Sequence, residues 1–223
     1  MKYNISFDVD FKRNKSKGLF IALDGLDGSG KTTQAHVLVD RLNKEGYKAV
    51  YTKEPTDEPT GRLIRSILSG KVKVPAASWQ YLFVADRVVH LEEVEKWLSQ
   101  GKIVVTDRYF WSSVAYGVAD RGFKGDFYLV ALSILSCYHQ FLIPDLNFYL
   151  SITPEIGMKR INENRVDKEI YEKKSKLIEI EKGYKMLLKK FPKEFTIVDG
   201  KSEIDSVHED LYKMVVKKIK THK

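Results

Sequence analysis

Gly25-Leu26-Asp27-Gly28-Ser29-Gly30-Lys31-Thr32 is the stretch on which the reading of this chain turns. It fits the pattern G-x-x-x-x-G-K-[ST] in the context that gives the pattern meaning. The apolar run at residues 19–23 reads as a buried strand, and residues 33–42 read as an amphipathic helix with Ala35, Leu38, Val39 and Leu42 on one face. Glycines at 25, 28 and 30 let the backbone curl until successive N–H groups and the positive end of the helix face one anionic spot. In that arrangement Lys31 reaches the β- and γ-phosphates of a nucleoside triphosphate, the Thr32 hydroxyl ligates Mg²⁺, and Thr33 completes the cradle. The alternative is a glycine-rich turn without a ligand, and the Lys31-Thr32 pair between a strand and a helix argues against it.

A chain of 223 residues suits one α/β domain with a mobile insertion. Its single cysteine, Cys137, lies in an apolar, helical-looking run, so neither a disulfide framework nor a thiol cluster for zinc is expected. Residues 1–17 alternate charged and apolar side chains without a signal-peptide block, and no run is long enough to span a bilayer. A soluble, reduced, cytoplasmic setting is the expectation. The formal net charge of +8 suits either a polyanion partner or a lysine-rich surface around a site for phosphorylated small molecules. Lysines are spread along the chain and no aromatic-interleaved basic stretch occurs, which favours the second reading and no nucleic-acid partner.

Strand-like segments recur at 19–23, 48–52, 103–106, 146–152 and 195–198 with helical patterns between them. That alternation predicts a five-stranded parallel sheet covered by helices on both faces, with ligands at the carboxyl ends of the strands. The polar clusters all follow strands: residues 24–33, then Lys53-Glu54-Pro55, then Asp107-Arg108-Tyr109. Thr153 reads as an N-cap with Pro154 at the first helical position and Glu155 behind it. Residues 161–174 are charged and poor in large apolar side chains, the composition of a lid with part of its length over solvent. Helical pattern resumes at Leu177, Ile180, Tyr184 and Leu187, and Ile204, Val207, Leu211, Met214, Val215 and Ile219 mark a last helix.

The strand at 103–106 runs into Asp107, a carboxylate placed to hold Mg²⁺ indirectly, and Arg108 beside it is a bidentate phosphate donor. With Asp27, Lys31 and Arg108 the chain resembles the thymidylate kinases of the phosphate-loop nucleoside monophosphate kinase group. The resemblance runs from about residue 18 to 200 and rests on residues 25–33, Lys53-Glu54-Pro55 with Arg65, residues 83–87, Asp107-Arg108-Tyr109 with Ser112, Ser113, Ala115 and Tyr116, Arg121-Gly122, Thr153-Pro154-Glu155, and Lys159-Arg160.

The resemblance implies a kinase domain over 18–223 with a lid near 154–175, the extension 1–17 having no counterpart, and a homodimer packed through helices such as 79–98 and 126–137. It implies transfer of the γ-phosphoryl of ATP to dTMP with Mg²⁺. Glu54 and Pro55 belong to the motifs around the acceptor; Phe83 stacks on thymine and Arg87 hydrogen-bonds its carbonyl edge. Ser113 stands against the pyrimidine ring, Ser112 beside it belongs to the same substrate-binding motif, Tyr116 packs under the sugar, and Arg65, Arg108 and Arg121 surround the monophosphate and its base. Asp27 approaches the 3′-hydroxyl and the acceptor phosphate.

The phosphate loop holds no arginine at positions 26–29, so the cation that neutralises the transferring phosphoryl must come from elsewhere. The lid offers Arg160 and Arg165, and Arg160 has the alternative of stacking on adenine. Val114, Gly117 and the bulky Phe110-Trp111 depart from the family's usual residues. His36, His90, His139, His208 and His222 have no metal-ligand spacing. Rival readings are a kinase of uridylate, deoxyuridylate or a deoxynucleoside, a nucleotide-dependent switch, and a nucleic-acid-dependent ATPase.

Overall fold

The computed structural model describes residues 10–75, 78–120, 127–138, 140–164 and 170–222. Five parallel strands form the main sheet. Naming the strands in chain order, β1 is Lys12–Arg13, β2 Leu19–Gly25, β3 Ala49–Lys53, β4 Ile103–Asp107, β5 Leu142–Ile143, β6 Leu146–Ser151 and β7 Thr196–Asp199. The sheet order is β3-β4-β2-β6-β7, so the strand that feeds the glycine loop is central. All seven residues of β2 are buried, which explains why it is a continuous apolar run rather than an alternating one.

Alternate side chains of β2 enter two cores. Leu19, Ile21 and Leu23 pack with Ala35, Leu38 and Leu42 of helix α1 (Lys31–Lys44) and with Val207, Leu211 and Val215 of α8 (Ile204–Thr221). Phe20 and Ala22 face the other core, built with helices α2 (Pro59–Leu68), α3 (Trp79–Ser99), α4 (Phe110–Asp120), α5 (Phe127–Tyr138) and α7 (Lys174–Lys190). The expected doubly covered parallel sheet is therefore the observed one.

Register positions the chemistry. Leu23 and Lys53 both align with Asp107, so β3 and β4 end in one row, β2 runs two residues further to Gly25, and the following loops open on the same side. The N-cap reading at residue 153 holds: α6 spans Pro154–Asn164 and Thr153 Oγ1 accepts the Ile156 N–H at 3.4 Å.

Two details of burial stand out. In the charged stretch 161–174 part of the length faces solvent, as expected, with Asn162, Glu163, Lys173 and Lys174 exposed, while Ile161, Tyr171 and Glu172 are buried. Tyr171 packs edge-on against Trp79 and Tyr116, partners that local composition does not reveal. Ile204, expected on the buried face of the last helix, is exposed. A second, two-stranded parallel sheet joins β1 to β5 and was too short to show periodicity. Among the described residues no helix is long and apolar enough to cross a membrane.

Candidate active site

The glycine loop leaves β2 at Gly25 and enters α1 at Lys31. Gly28 has φ 78° and Gly30 φ 89°, the left-handed region that side chains with a Cβ resist. A Cβ on Gly28 would lie 2.5 Å from the Gly157 carbonyl oxygen, because the loop is pressed against α6. A Cβ on Gly30 would meet nothing within 4 Å and would project into open space at the cradle. The first turn of α1 has neither a capping side chain nor an acidic residue, so its amides are left to an anion. Ser29 Oγ accepts a 3.3 Å bond from Lys31 Nζ, which also donates to the Leu26 carbonyl at 2.7 Å. Burial and the neighbouring Arg108 charge pull the Lys31 ammonium down to about 8, against the opposing carboxylates of Asp107, Asp27 and Asp24. Leu26 differs from expectation: its side chain is wholly in the core, and only its backbone serves the loop.

Thr32 Oγ1 donates to Asp107 Oδ2, and Asp107 Oδ1 is buried with no hydrogen-bond partner. A hydroxyl against a carboxylate that keeps an unused buried oxygen is a donor set that fits a hard divalent cation.

Arg108 has φ 72°, and this turn swings its guanidinium back over the loop. Its Nη1 donates to the Gly25 carbonyl at 3.2 Å and to Ser112 Oγ at 3.1 Å, and its Nη2 to Asp27 Oδ1 and to the Tyr116 hydroxyl at 2.9 Å. Tyr116 in turn donates to Asp27 Oδ2 at 2.9 Å. Ser112 is committed internally, donating to Asp24 Oδ1 and lying 2.7 Å from the Tyr184 hydroxyl. Burial pushes the Asp24 carboxyl up to about 6, partly offset by Ser112, Arg108 and Lys31.

On the side of β3, a cis Glu54-Pro55 bond follows the strand. Arg65 of α2 donates to the Pro55 carbonyl at 2.7 Å and pairs with Asp57 at 2.7 Å. Phe83 and Arg87 project from one face of α3 into the same cleft, as their spacing predicted. The Arg87 Nε grips Glu54 at 2.9 and 3.1 Å, its Nη2 also binds Glu54 and donates to Ser113 Oγ at 3.1 Å, and its Nη1 is buried without a partner.

On the far side of the loop, Arg160 of α6 donates to the Gly200 carbonyl at 2.9 Å, the Lys201 carbonyl at 3.4 Å and the Gly28 carbonyl at 3.5 Å. One cleft of about 860 Å³ is lined by Asp27, residues 28–33, Glu54, Pro55, Arg65, Phe83, Arg87, Asp107, Arg108, Ser112, Ser113, Tyr116 and Arg160. That volume is near the top of the usual range for small-molecule sites, about 300–1,000 Å³. Arg121 and Arg165 lie outside the described residues. Sequence reasoning missed Gln80, Tyr171 and the stretch 200–204 as lining residues. The rule that ligands gather beyond strand ends pointed at 200–204, which follows β7, whereas Tyr171 reaches the cleft only through its packing on Tyr116.

The family model described as thymidylate kinase matches residues 23–211. A probable thymidylate kinase of Thermococcus gammatolerans is 35% identical over 216 residues, covering 91% of this chain and 98% of the relative. A thymidylate kinase of Thermoanaerobacter sp. (strain X514) is 34% identical, covering 90% and 98%. The solved thymidylate kinase of Candida albicans superposes with a TM-score of 0.78 at 26% identity, covering 94% of this chain and 96% of that one. With a matched profile over most of its length and relatives covered almost end to end, this chain belongs to the thymidylate kinase family.

Proposed function

We propose that this chain transfers the γ-phosphoryl of ATP to dTMP, giving dTDP and ADP. One observation carries the reading: a single cleft has an amide-lined phosphate cradle in its middle, Arg160 and residues 200–204 on one side, and Arg65, Arg87 and Arg108 on the other. That is room for a donor and an acceptor held phosphate to phosphate.

In this reading the amides of the loop and the first turn of α1, apart from Ser29, whose N–H donates to the Leu26 carbonyl, join Lys31 in holding the β- and γ-phosphates, while Arg65 and Arg108 orient the acceptor phosphate. An acceptor oxygen attacks the γ-phosphorus as the bond to the bridging oxygen of ADP breaks; no covalent intermediate on the protein is needed. Thr32 and the unpaired Asp107 oxygen would hold Mg²⁺, which would supply charge neutralisation for the phosphates. Asp27, fixed by Arg108 and Tyr116, faces the acceptor's sugar and phosphate. Phe83 stacks on the base, Arg87 meets its carbonyl edge and Tyr116 packs under the sugar. Arg121 is assigned to the acceptor side on the motif alone.

Because the loop lacks an arginine, the lid at about 154–175 supplies the cation for the transferring group, from Arg160 or Arg165. Closure over the donor excludes water as a competing acceptor. Residues 18–223 act as one kinase domain. We assign the enzyme to the cytoplasm and to a homodimer packed through α3 and α5; Tyr81, Val88 and Val89 of α3 are exposed apolar side chains available for such a face.

The test is coupled ADP release with dTMP, dUMP, UMP and thymidine as acceptors. dTMP is expected to have the highest kcat/KM. Preference for another acceptor overturns the substrate, and no acceptor-dependent ADP release overturns the kinase. Arg160→Ala or Arg165→Ala is expected to lower kcat by about 10²-fold or more with dTMP binding retained. Wild-type turnover in both variants would dispose of the lid's role.

A further inference from the structure

His90 is a buried ionisable side chain beside the cleft that the proposed transfer leaves without a task. It sits on α3 three residues after Arg87, 3% exposed, and does not itself line the cleft that Glu54 and Arg87 line. Its Nδ1 lies 2.9 Å from Glu54 Oε1, and its Nε2 lies 2.7 Å from Thr52 Oγ1 on β3. Burial alone would raise the Glu54 carboxyl, but the Arg87 charge and the His90 and Arg87 hydrogen bonds outweigh it and hold it below its ordinary value. An ionised carboxylate only accepts, so Nδ1 carries the proton; in the neutral ring Nε2 then accepts the Thr52 hydroxyl proton.

This makes a four-residue relay from a strand to the acceptor side of the cleft. The Glu54 carboxylate sets the tautomer of His90, Thr52 steadies the ring at Nε2, and His90 holds Oε1 of Glu54. Glu54 grips Nε and Nη2 of Arg87, and Ser113 takes a second bond from Nη2. The guanidinium also lies against two aromatic rings, its carbon 4.6 Å from the Tyr138 ring centre and 5.3 Å from that of Tyr109. Two of its three nitrogens are thus fixed, and the third, Nη1, is buried with no partner in a side chain that lines the cleft. A desolvated cationic N–H without an acceptor is costly, and a ligand oxygen would relieve that cost.

We propose that His90 is a positioning residue for the acceptor base: by holding Glu54 it aims the open N–H of Arg87 at a ring carbonyl oxygen and so favours a keto pyrimidine over an amino pyrimidine. The inference rests on the reading of Arg87 as the base contact. Without the Nδ1–H donor, Glu54 Oε1 keeps only the 3.1 Å bond from Arg87 Nε in a buried setting. The carboxylate stays paired with Arg87 through Oε2 but loses its side-chain anchor outside that pair, so carboxylate and guanidinium can turn together.

The experiment compares wild type, His90→Leu, His90→Asn and Thr52→Val, measuring KM for dTMP, KM for ATP, kcat, and the ratio of kcat/KM for dTMP over dCMP. Asparagine places an N–H near the position of Nδ1, so it is the conservative replacement. His90→Leu is expected to raise KM for dTMP about tenfold and lower the dTMP-over-dCMP ratio about tenfold, with kcat and KM for ATP within about threefold of wild type. His90→Asn should recover most of both losses, and Thr52→Val should shift both in the same direction by about threefold.

A folded His90→Leu with wild-type KM for dTMP and unchanged selectivity overturns the inference. So does a parallel rise in KM for ATP, or an asparagine variant no better than leucine. If His90→Leu does not fold, Thr52→Val decides, and wild-type values there overturn the proposal. Wild type inactive on dTMP would sink the functional reading instead, whereas an active wild type with indifferent variants sinks this inference alone.

Discussion

Lys31 is pulled two ways, by a buried site that disfavours its charge and by carboxylates that favour it, and the balance leaves it titrating near 8. A bound polyphosphate favours the ammonium, so the sign of the pH effect follows. Below about 8 the lysine is already protonated and binding takes up no proton; above it, binding must take up one. ATP affinity measured by calorimetry is therefore expected to be level between about pH 7 and 8, above the range where Asp24 titrates, and to weaken by about tenfold per pH unit well above it. Lys31→Arg should remove that alkaline limb, because a guanidinium stays protonated throughout. An unchanged limb in the arginine variant would mean that another group sets it. Asp24, next to this pair, is legible in the sequence only as a strand-end carboxylate. Its rise to about 6 comes from complete burial between β2 and α4, which no local pattern reports.

The phosphate loop depends on α6 as much as on its own glycines. Gly28 lies against Gly157 so closely that an added methyl group would be forced into backbone, and its φ of 78° adds strain of its own. Gly30 has a similar φ and open space around the missing Cβ. The two alanine variants should therefore separate. Gly28→Ala is expected to cost about 2–4 kcal/mol in urea unfolding, strain plus clash. Gly30→Ala is expected to cost only about 1–2 kcal/mol of backbone strain while losing at least tenfold in ATP affinity, since its methyl group points into the cradle. Equal stability losses in the two would refute the role of the Gly157 contact. The pattern G-x-x-x-x-G-K-[ST] was readable from the chain because a strand, a turn and a helix start occupy consecutive residues. The supporting contact was not, because Gly157 lies on a helix that arrives more than a hundred residues later.

At the scale of the molecule, the segment before β2 ties distant parts together. Phe11 packs on Phe110, Trp111 and Phe191, with ring centres 5.6–6.1 Å apart, and Lys12 and Arg13 pair with Glu95 and Glu194. Asn14 donates to Asp145 at 2.6 Å, and His222 Nε2 at the other terminus lies 2.9 Å from the Gly18 carbonyl. The bulk of Phe110-Trp111, an unexplained departure in the sequence, is thus part of an aromatic cluster that this segment completes. Phe11→Ala is expected to destabilise by about 1–3 kcal/mol, less than for a fully buried ring, and to lower the thermal midpoint with kcat/KM within about twofold. A midpoint unchanged by the substitution would show that the segment contributes nothing to the fold.

Strands, helices and the phosphate loop could be read from the chain alone because periodicity, capping and glycine spacing act over neighbouring residues. The parallel sheet followed from their alternation. Which carboxylate meets which guanidinium could not be read this way. Glu54 and Arg87 are 33 positions apart and Asp27 and Arg108 81 apart, and a hydrogen bond answers to distance in space. Those pairings became definite only when parallel register set Leu23, Lys53 and Asp107 in one row and α3 and α4 packed beside it.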